Sequence, residues 1–457
     1  MTTSGRASWP LRPWLLLVVL VVASLHAPGQ LSVDSVIALH EAATGSAFGW
    51  TPTLQSALLA WLGGGEIAAA LHVAMMLAVA AFALESLLGS KGECSTATKV
   101  LGCIVVLNPM IWLMLGVVWR DVLVGVAALA GVAALLAARR QPIVRIPWLP
   151  WSVVVLAATI CLLARQPGFL IAAGLIIALL LQANNRFREA GASTTMRLRS
   201  MSAVVAAPLV VAMGLQTAVV ATVKPSDTPG VQMDGVTLVL LFDVAGMWVH
   251  RPPEKRLLPS GIPPEVAAQM RSAYTAERVD GLLGSPGMRE WAVAEGRRRM
   301  AAHWWAMFKL SPSSYVQHRW AASAALLGFN DVRRCVPGYW GVAGLPHMVE
   351  ALGLQERMDA RDRLIGRIAT KLAATPAFWN VTYVLALAVA VVVFARRAGP
   401  ASEEVVVGIA GLAYAAFFVV AGIACDVRYL FPVVMIASAL ALALTRPGKP
   451  LGRGSHA

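Results

Sequence analysis

The feature that most constrains this chain is a series of long apolar runs, each close to the length of about 20 residues that an α-helix needs to cross a bilayer. They predict an all-α polytopic membrane protein with about ten transmembrane helices. The predicted spans cover residues 14–23, 66–88, 99–118, 121–138, 147–164, 167–184, 200–222, 378–395, 403–424 and 428–445. The first run resembles a signal-peptide core, but the many runs after it favour an uncleaved first helix.

The composition agrees with this class, because 58% of the 457 residues are hydrophobic and only 14% are charged. A formal net charge of +14 raises the question of a nucleic-acid partner. The basic residues, however, stand mostly in short loops between apolar runs, where they orient a protein in the bilayer. We therefore expect membrane lipids, and no nucleic acid, as the partner of this charge.

The placement of Lys and Arg also predicts the orientation, because these residues concentrate in cytoplasmic loops. With the N-terminus inside, the basic loop residues that fall on the cytoplasmic side are Lys91, Lys99, Arg139, Arg140, Arg145, Arg186, Arg188, Arg197, Arg199, Arg396, Arg397, Arg446, Lys449 and Arg453. Both termini are then cytoplasmic. The opposite, outer face receives the loop 27–64, the turn 119–121, Arg165, the turn 426–428 and a long polar interval, residues 223–377, between the seventh and eighth apolar runs.

Three regions follow from this topology. Residues 1–222 form an N-terminal transmembrane module that includes the first outer loop (27–64), residues 223–377 form an extracytoplasmic domain, and residues 378–457 form the last helices and a basic tail. The interval is rich in Pro and Gly up to Ser285, which favours loops there, and reads as helices from Pro286 onward.

Aromatic residues in the second part of the interval suggest where it lies. Tyr315, Trp320 and the pair Trp304 and Trp305 are the kind of amphipathic rings that are favoured at a membrane interface. We expect a helical layer that rests on the membrane, with packing of these rings in a protein core as the alternative.

The stretch from Leu31 to Pro52 places a carboxylate, Asp34, directly after the first apolar run. A carboxylate near a membrane segment is expensive unless it has a partner or a role. The predicted topology brings Arg120, Asp121, Arg165 and Arg428 to the same face as Asp34. Each alone could be a charge at a helix end that reaches for water. As a set, they predict a shared polar cavity.

The motifs of several enzyme classes are absent from the sequence: it has no HExxH or paired CxxC spacing, no phosphate-binding P-loop and no G-x-S-x-G elbow. What remains is a carboxylate with arginines nearby. A carboxylate can take the proton from an attacking hydroxyl, and the guanidinium fork of arginine can bind a departing phosphate. This set therefore suits group transfer from a phosphate-activated donor.

Several short motifs resemble those of bacterial membrane glycosyltransferases of the GT-C superfamily, and in particular relatives of the polyprenyl-phosphate-sugar-dependent protein mannosyltransferases that carry a Trp-Lys/Arg-Asp motif. The matching residues are Asp34 with Ser35, the stretch Gly45 to Pro52, Asn108-Pro109, Trp119-Arg120-Asp121, Arg165-Gln166-Pro167-Gly168, Phe242 to Ala245 read as strand-like, Ser311-Pro312 with Tyr315, and Asp426-Val427-Arg428-Tyr429 with Pro432. The resemblance runs over most of the chain, although each motif is short.

The resemblance implies a GT-C-like helical bundle in a bacterial inner (plasma) membrane, with a role in the cell envelope. It implies a polyprenyl-phosphate-linked sugar as donor, inversion at the anomeric carbon, and a catalytic base on the first outer loop, here Asp34. Arg120 and Asp121 would line the donor site, and Arg165 and Arg428 would bind the lipid phosphate. The acceptor, a protein, a lipid or a glycan, is left open.

The sequence departs from the pattern at two points. Thr51 stands before Pro52 where relatives often have His, and Gln166-Pro167 follows Arg165 where relatives often have His-Asn. The polar partners that relatives place near the phosphate therefore differ at these two turns.

Other interpretations stay open on the sequence alone. Glu41 is either a second carboxylate of the site that binds substrate or a solvated loop residue, and Asp121 could instead pair with Arg120 or Arg428. Asp34, Glu41 and Asp121 together have the oxygen ligands for a hard divalent cation, although their spacing does not require one. A lipid or glycan transporter or flippase, or a non-catalytic scaffold, is the alternative function.

The five cysteines do not form a framework, because Cys103 and Cys161 lie in apolar runs and Cys94 lies in a basic loop. Only Cys335 and Cys425 could share an oxidising compartment and form a disulfide.

Overall fold

The computed structural model describes residues 13–48, 52–88, 96–142, 146–191, 193–224, 233–252, 261–329, 335 and 338–445. The side chains of 97–99, 199–200 and 286 are not among those described. Sequence predictions at the two termini, Trp50, Thr51, Lys91, Cys94, Arg145, most of the loop 252–259 and the basic tail fall outside the described residues. Within the described ranges the chain is helical and its only β-type pairing is a set of isolated bridges, which confirms the all-α class.

In chain order the helices are α1 (Pro13–His26), α2 (Val33–Thr44), α3 (Leu54–Trp61), α4 (Gly65–Leu88), α5 (Thr96–Val106), α6 (Pro109–Leu115), α7 (Arg120–Arg139), α8 (Trp148–Ala164), α9 (Gly168–Glu189), α10 (Thr194–Thr222), α11 (Gly235–His250), α12 (Pro264–Ala273), α13 (Asp280–Leu283), α14 (Pro286–Leu310), α15 (Pro312–Leu327), α16 (Pro346–Ala351), α17 (Ala360–Ala373), α18 (Asn380–Ala398), α19 (Glu403–Ala421) and α20 (Phe431–Leu444). Two 3-10 turns occupy Pro376–Phe378 and Val427–Leu430.

Seven helical stretches among the described residues are long and apolar enough to cross a membrane: α4, α7, α9, α10, α18, α19, and the 3-10 turn at Val427 continuing into α20. They make this chain a multi-pass membrane protein. The predicted count of about ten is not confirmed, because α1 and α8 are shorter apolar helices and the run 99–118 is divided between α5 and α6.

The division of the run 99–118 has a local cause at Asn108-Pro109. Proline at the first position of α6 cannot continue α5, and Asn108 caps α6 by accepting a hydrogen bond from the backbone N–H of Met110 at 3.0 Å. The amide Nδ2 of Asn108 donates to the hydroxyl of Tyr383 at 2.7 Å. The break is therefore held by α18, far along the chain.

The centre of the bundle is α7, which is buried along nearly its whole length. A helix that is apolar on all sides is suited to the middle of a bundle. It packs against α4, α8 and α20, and Gly125 lets α20 approach closely, because a Cβ atom there would lie 2.6 Å from the ring of Phe431. The N-terminal end of α7, which begins at Arg120, is thus placed by three neighbouring helices.

Charged groups fix the other end of α7. Arg139 lies 2.5 Å from carboxylate oxygens of both Glu403 and Glu404 on α19, and Arg186 on α9 donates to the backbone carbonyl of Gln141 at 2.8 Å. A cation at the C-terminal end of a helix is favourable because carbonyls there carry partial negative charge. Arg139 and Arg186, which the sequence assigns to one side of the membrane, do lie at one end of the bundle.

The polar interval is more helical than its composition predicts. Loops were expected up to Ser285, and residues 242–245 were expected to be strand-like, but α11 covers 242–245 and α12 and α13 follow it. The strand interpretation was wrong because the apolar residues of α11 are buried on several faces at helical spacing, in a second core that Phe242, Val244 and Met247 share with α12 to α15. The helices expected after Pro286 are confirmed by α14 and α15.

The interval has two parts that pack differently. Residues 233–322 build their own core, which we call the outer core. Residues 338–378 instead join the main core of the bundle through Val342, Met348 and Phe378. The second part approaches α2 so closely that a Cβ atom on Gly344 would lie 2.7 Å from the side chain of Val36.

The aromatic residues expected at a membrane interface divide into two groups. Trp305 and Trp320 are 52% and 76% exposed, which suits an interface. Trp304 and Tyr315 instead pack with Phe308 at ring-centroid distances of 5.2 and 5.6 Å along the edge of the outer core. The membrane-facing layer stays a prediction for the exposed pair and does not hold for the packed pair.

Asp243 is the centre of a buried polar network in the outer core. His318 Nε2 donates to it at 2.9 Å, Trp304 Nε1 donates at 2.9 Å, and Arg319 lies 2.5 Å away. Burial lowers the pKa of His318 below its ordinary value, so the ring is neutral and its Nδ1 accepts from the hydroxyl of Tyr274 at 2.7 Å. The network joins α11, α12, α14 and α15.

Replacing Asp243 by Ala should destabilise the outer core, because Arg319 would be left as a buried charge without a carboxylate partner. Removing one partner of a buried pair lowers the free energy of unfolding by about 3–5 kcal/mol. Thermal unfolding followed by tryptophan fluorescence measures the change, with Glu265→Ala, at an exposed position of α12, as control. Equal unfolding temperatures for the two variants would show that the network does not stabilise the outer core.

Cys335 and Cys425 form a disulfide with a Cα–Cα distance of 5.3 Å, as the sequence allowed. It joins the segment after α15 to the segment after α19. Cys103 and Cys161 are free.

A disulfide persists in an oxidising compartment, so its state in cells reports the orientation of the outer core. Mass spectrometry of unreduced protein from native membranes should find the peptides of Cys335 and Cys425 linked, and neither cysteine should react with a maleimide before reduction. Cys335→Ser should abolish the link. If the maleimide labels both Cys335 and Cys425 without reduction, the predicted orientation is wrong.

Candidate functional site

The backbone just before α2 lies between two distant segments of the chain. Gln30 donates to the carbonyl of Gly116 at 3.0 Å, and Leu31 donates to the carbonyl of Gly341 at 2.9 Å. In return, the backbone N–H groups of Val118 and Ala343 donate to the carbonyls of Gln30 and Leu31. The start of α2 is thereby fixed beside the residues that lead into α7.

Side chains complete this attachment. Trp119 Nε1 donates to Ser32 Oγ at 2.7 Å, and Ser35 Oγ donates to the carbonyl of Val118 at 2.8 Å. The backbone N–H of Ser32 donates to Ser35 Oγ at 3.1 Å, which satisfies one donor at the start of the helix. Asp34 stands in the first turn of α2, where a negative charge is favoured by the helix dipole, and it is held next to Arg120.

Asp34 pairs with Arg428, since the Nη1 atom of Arg428 lies 2.6 Å from Asp34 Oδ2. The side chain of Asp34 is 50% exposed whereas that of Arg428 is 13% exposed, so the carboxylate faces an opening. The positive charge of Arg428 holds the pKa of Asp34 below its ordinary value. Asp34 is therefore an ionised, accessible carboxylate at neutral pH.

Arg428 is fixed from several sides. Its Nη2 atom lies 3.2 Å from Asp426 Oδ2, and its guanidinium stands 4.6 Å from the ring centroid of Trp119 and 5.5 Å from that of Tyr429. Aromatic faces stabilise a guanidinium that has lost water. The 3-10 turn before α20 thus presents Arg428 in one position.

Asp121 pairs with Arg165, whose Nε atom lies 3.1 Å from Asp121 Oδ1. The sequence left Arg120 or Arg428 as its alternative partner, and both expectations were wrong. Arg165 occupies the position because it ends α8 in an extended conformation and its guanidinium lies 4.8 Å from the ring centroid of Tyr429. The Tyr429 ring therefore contacts both Arg165 and Arg428.

Arg120 differs from the other two arginines. It is 8% exposed and its Nε atom is buried without a hydrogen-bond partner. Among the described residues, no carboxylate forms an ion pair with it, although Asp34, Glu41 and Asp121 are within electrostatic range. A buried cation without a direct counter-ion is expensive, so Arg120 is the group of this site best suited to an anionic ligand.

Glu41 is neither a solvated loop residue nor part of the opening. It lies in α2, is 0% exposed, and accepts hydrogen bonds from the backbone N–H of Phe48 at 2.8 Å and from Ser56 Oγ at 2.5 Å. The chain after α2 turns back to form α3 and so brings both donors to this carboxylate. Its effect on the site is limited to the electrostatic interaction with Arg120.

The carboxylates do not assemble into a metal-binding group. Asp34 faces Arg428, Asp121 faces Arg165, and Glu41 faces two hydrogen-bond donors. In the described part of the chain, no three His, Cys, Asp or Glu side chains come together around a position for a cation. The interpretation of Asp34, Glu41 and Asp121 as joint metal ligands is thus not supported by their geometry.

Two contributors to the site were not predicted, Asp426 and Arg278. Asp426 had a signal in the sequence, since it stands two residues before Arg428. Arg278 had none, because it lies in the polar interval, 148 residues before Asp426, with which it pairs. Only the folded structure reveals this partner.

We expect Glu41→Ala to lower stability and Asp34→Ala to change it little. Loss of the Glu41 carboxylate takes the acceptor from the buried Ser56 hydroxyl, which costs about 1–3 kcal/mol. Loss of Asp34 removes a half-exposed pair, worth about 1 kcal/mol at most, and Arg428 keeps Asp426. Thermal unfolding in detergent compares them, and a larger loss for Asp34→Ala would contradict these assignments.

Fold and site together define a multi-pass, all-α membrane protein with ion-paired carboxylates and arginines at one end of its bundle. Comparison with models of protein families, with characterised proteins and with solved structures finds no match for this chain.

Proposed function

We propose that this chain is a membrane glycosyltransferase that moves a sugar from a polyprenyl-phosphate donor to an acceptor at the outer face of a bacterial plasma membrane. The observation that carries the proposal is the half-exposed Asp34 carboxylate beside the partly buried Arg428 and the buried Arg120, at the ends of apolar helices. A base and a phosphate-binding group are the two elements that such a transfer needs.

The position of the site suits a lipid-linked donor. The isoprenoid tail of the donor lies in the bilayer and its phosphate lies at the headgroup level, so the reacting groups belong at the ends of membrane helices. Arg120 begins α7, and Arg428 lies in the turn before α20. This position at helix ends supports the proposal that both guanidinium groups meet a lipid phosphate at the headgroup level.

We assign the phosphate to Arg120 and Arg428 rather than to Arg165 and Arg428. Arg120 has no ion-pair partner among the described residues, whereas Arg165 is paired with Asp121. A guanidinium binds phosphate through two parallel hydrogen bonds. Arg165 and Asp121 would then help to position Arg428 without binding the phosphate, since Arg165 lies on the Tyr429 ring that also contacts Arg428.

The reaction that these groups support is a direct displacement with inversion. The oxygen of an acceptor hydroxyl forms a bond to the anomeric carbon, and its proton passes to Asp34. The bond between the anomeric carbon and the phosphate oxygen breaks, and the phosphate leaves with the electron pair. Because phosphate is a good leaving group, charge stabilisation by arginine can replace a general acid.

Donor binding would also make Asp34 a stronger base. Arg428 lowers the pKa of Asp34 through its positive charge. A lipid phosphate that shares Arg428 would neutralise part of that charge and so raise the proton affinity of Asp34. The base would then gain strength only when the donor is in place.

The main test replaces Asp34 by Asn in membranes supplied with polyprenyl-phosphate sugars that carry different hexoses and pentoses. Transfer should fall by about 10²–10⁴-fold, the range typical for loss of a general base, while binding of the donor is retained. Glu265→Gln, which removes an exposed carboxylate of the outer core, is the matched control and should transfer at the wild-type rate.

Arg120→Gln separates binding from proton transfer, because it should weaken donor binding as well as transfer. Undiminished transfer by Asp34→Asn would remove Asp34 as the base. If wild-type protein transfers no sugar from any donor to any acceptor tried, a transporter or a non-catalytic scaffold becomes the better account.

A further inference from the structure

Residues 422–428, in the connection between α19 and α20, are held by the outer core at several positions. The contacts are Arg319 Nη1 to the carbonyl of Gly422 at 2.7 Å, the backbone N–H of Val279 to the carbonyl of Ile423 at 2.9 Å, the backbone N–H of Cys425 to the carbonyl of Glu277 at 2.9 Å, and the disulfide from Cys425 to Cys335. This connection carries Arg428, so the outer core is attached to the donor site through hydrogen bonds, and the disulfide adds a covalent link to the segment after α15.

A line of charges runs in parallel with the backbone contacts. Arg278 of the outer core pairs with Oδ1 of Asp426, and Oδ2 of the same carboxylate lies 3.2 Å from Arg428. Arg428 in turn lies 2.6 Å from Asp34. Asp426 is 10% exposed and Arg278 is 28% exposed in their side chains, so these contacts are only partly screened by water.

Each oxygen of Asp426 thus has a different arginine. Arg278 holds the carboxylate in one orientation, and that orientation presents Oδ2 to Arg428. An arginine side chain has several rotatable bonds and loses considerable entropy when it is held in one geometry. Without Arg278, Asp426 is free to turn and Arg428 loses one of the groups that keep it between Asp34 and Trp119.

We propose that Arg278 is a positioning residue for the donor site, which acts through Asp426 to fix Arg428 for the lipid phosphate. The inference rests on the proposed function, because it assumes that Arg428 binds the phosphate of the donor. Its consequence is that the state of the outer core controls donor binding. An acceptor that engages the outer core is coupled to the donor through the same contacts.

A general electrostatic effect predicts a different result from positioning at Asp426. Asp426→Asn removes a negative charge near the phosphate, which by charge alone should strengthen the binding of an anion. A positioning role predicts weaker binding, because the amide cannot hold two arginines as a carboxylate does. The sign of the change at Asp426 therefore separates the two accounts.

The experiment measures the dissociation constant of polyprenyl phosphate, without sugar, for the purified full-length chain in detergent. Arg278→Ala and Asp426→Asn should each weaken binding about threefold to tenfold, as is typical of residues that act through others. Arg278→Lys should recover part of the affinity. Arg289→Ala, which removes an exposed positive charge of α14, should bind like the wild type, and thermal unfolding confirms that each variant is folded.

The outcomes distinguish the inference from the function on which it rests. If the wild-type chain binds polyprenyl phosphate and both Arg278→Ala and Asp426→Asn bind it more weakly, the inference is supported. If the wild-type chain binds polyprenyl phosphate and Asp426→Asn binds it equally or more tightly, the positioning role is overturned and the proposed donor is unaffected. A wild-type chain that binds no polyprenyl phosphate overturns the proposed function and the inference with it.

Discussion

The pair of Asp34 and Arg428 is the interaction on which the rest of this site depends. Charged groups at the ends of apolar helices are unfavourable unless they are paired or functional. Here one carboxylate on the first loop and one arginine near the last helix neutralise each other across 394 residues of sequence. Their contact requires that α2, α7 and the α19–α20 connection meet at one end of the bundle.

The surrounding structure supplies that meeting point through backbone contacts rather than through a sheet. Gln30 and Leu31 lie between two other segments, and Trp119 binds the start of α2 while its ring lies under Arg428. One aromatic side chain thus orients both members of the central pair. The outer core then fixes the connection that carries Arg428. The Cys335–Cys425 disulfide and the Asp243 network therefore affect the site indirectly.

Much of this arrangement could be predicted from the sequence because it follows from local patterns. Apolar runs predict helices, and the alternation of basic loops predicts that Asp34, Arg120, Asp121, Arg165 and Arg428 share one face, which is where the structure brings them together. The Asn108-Pro109 break and the start of α7 at Arg120 are also local properties. Each depends on residues that are neighbours in the chain.

The parts that could not be predicted depend on tertiary contacts. The predicted partner of Asp121 was wrong because three arginines are close, and Arg428 pairs with Asp34 and Asp426 while Arg165 pairs with Asp121. Glu41 was expected in solvent or at the opening because its two donors come from residues 7 and 15 positions later, after a turn that has no clear signal. Residues 242–245 of α11 were expected to be strand-like because their burial comes from α12 to α15, which follow them in the chain.

Arg120 is the residue that we propose receives the phosphate, since it is buried and lacks an ion-pair partner among the described residues. The most direct measurement is an experimental structure of the full chain with polyprenyl phosphate bound. We expect the phosphate oxygens to contact the guanidinium groups of Arg120 and Arg428, with the Asp34 carboxylate beside them. A phosphate bound elsewhere, with Arg120 still free of any anion, would contradict the account.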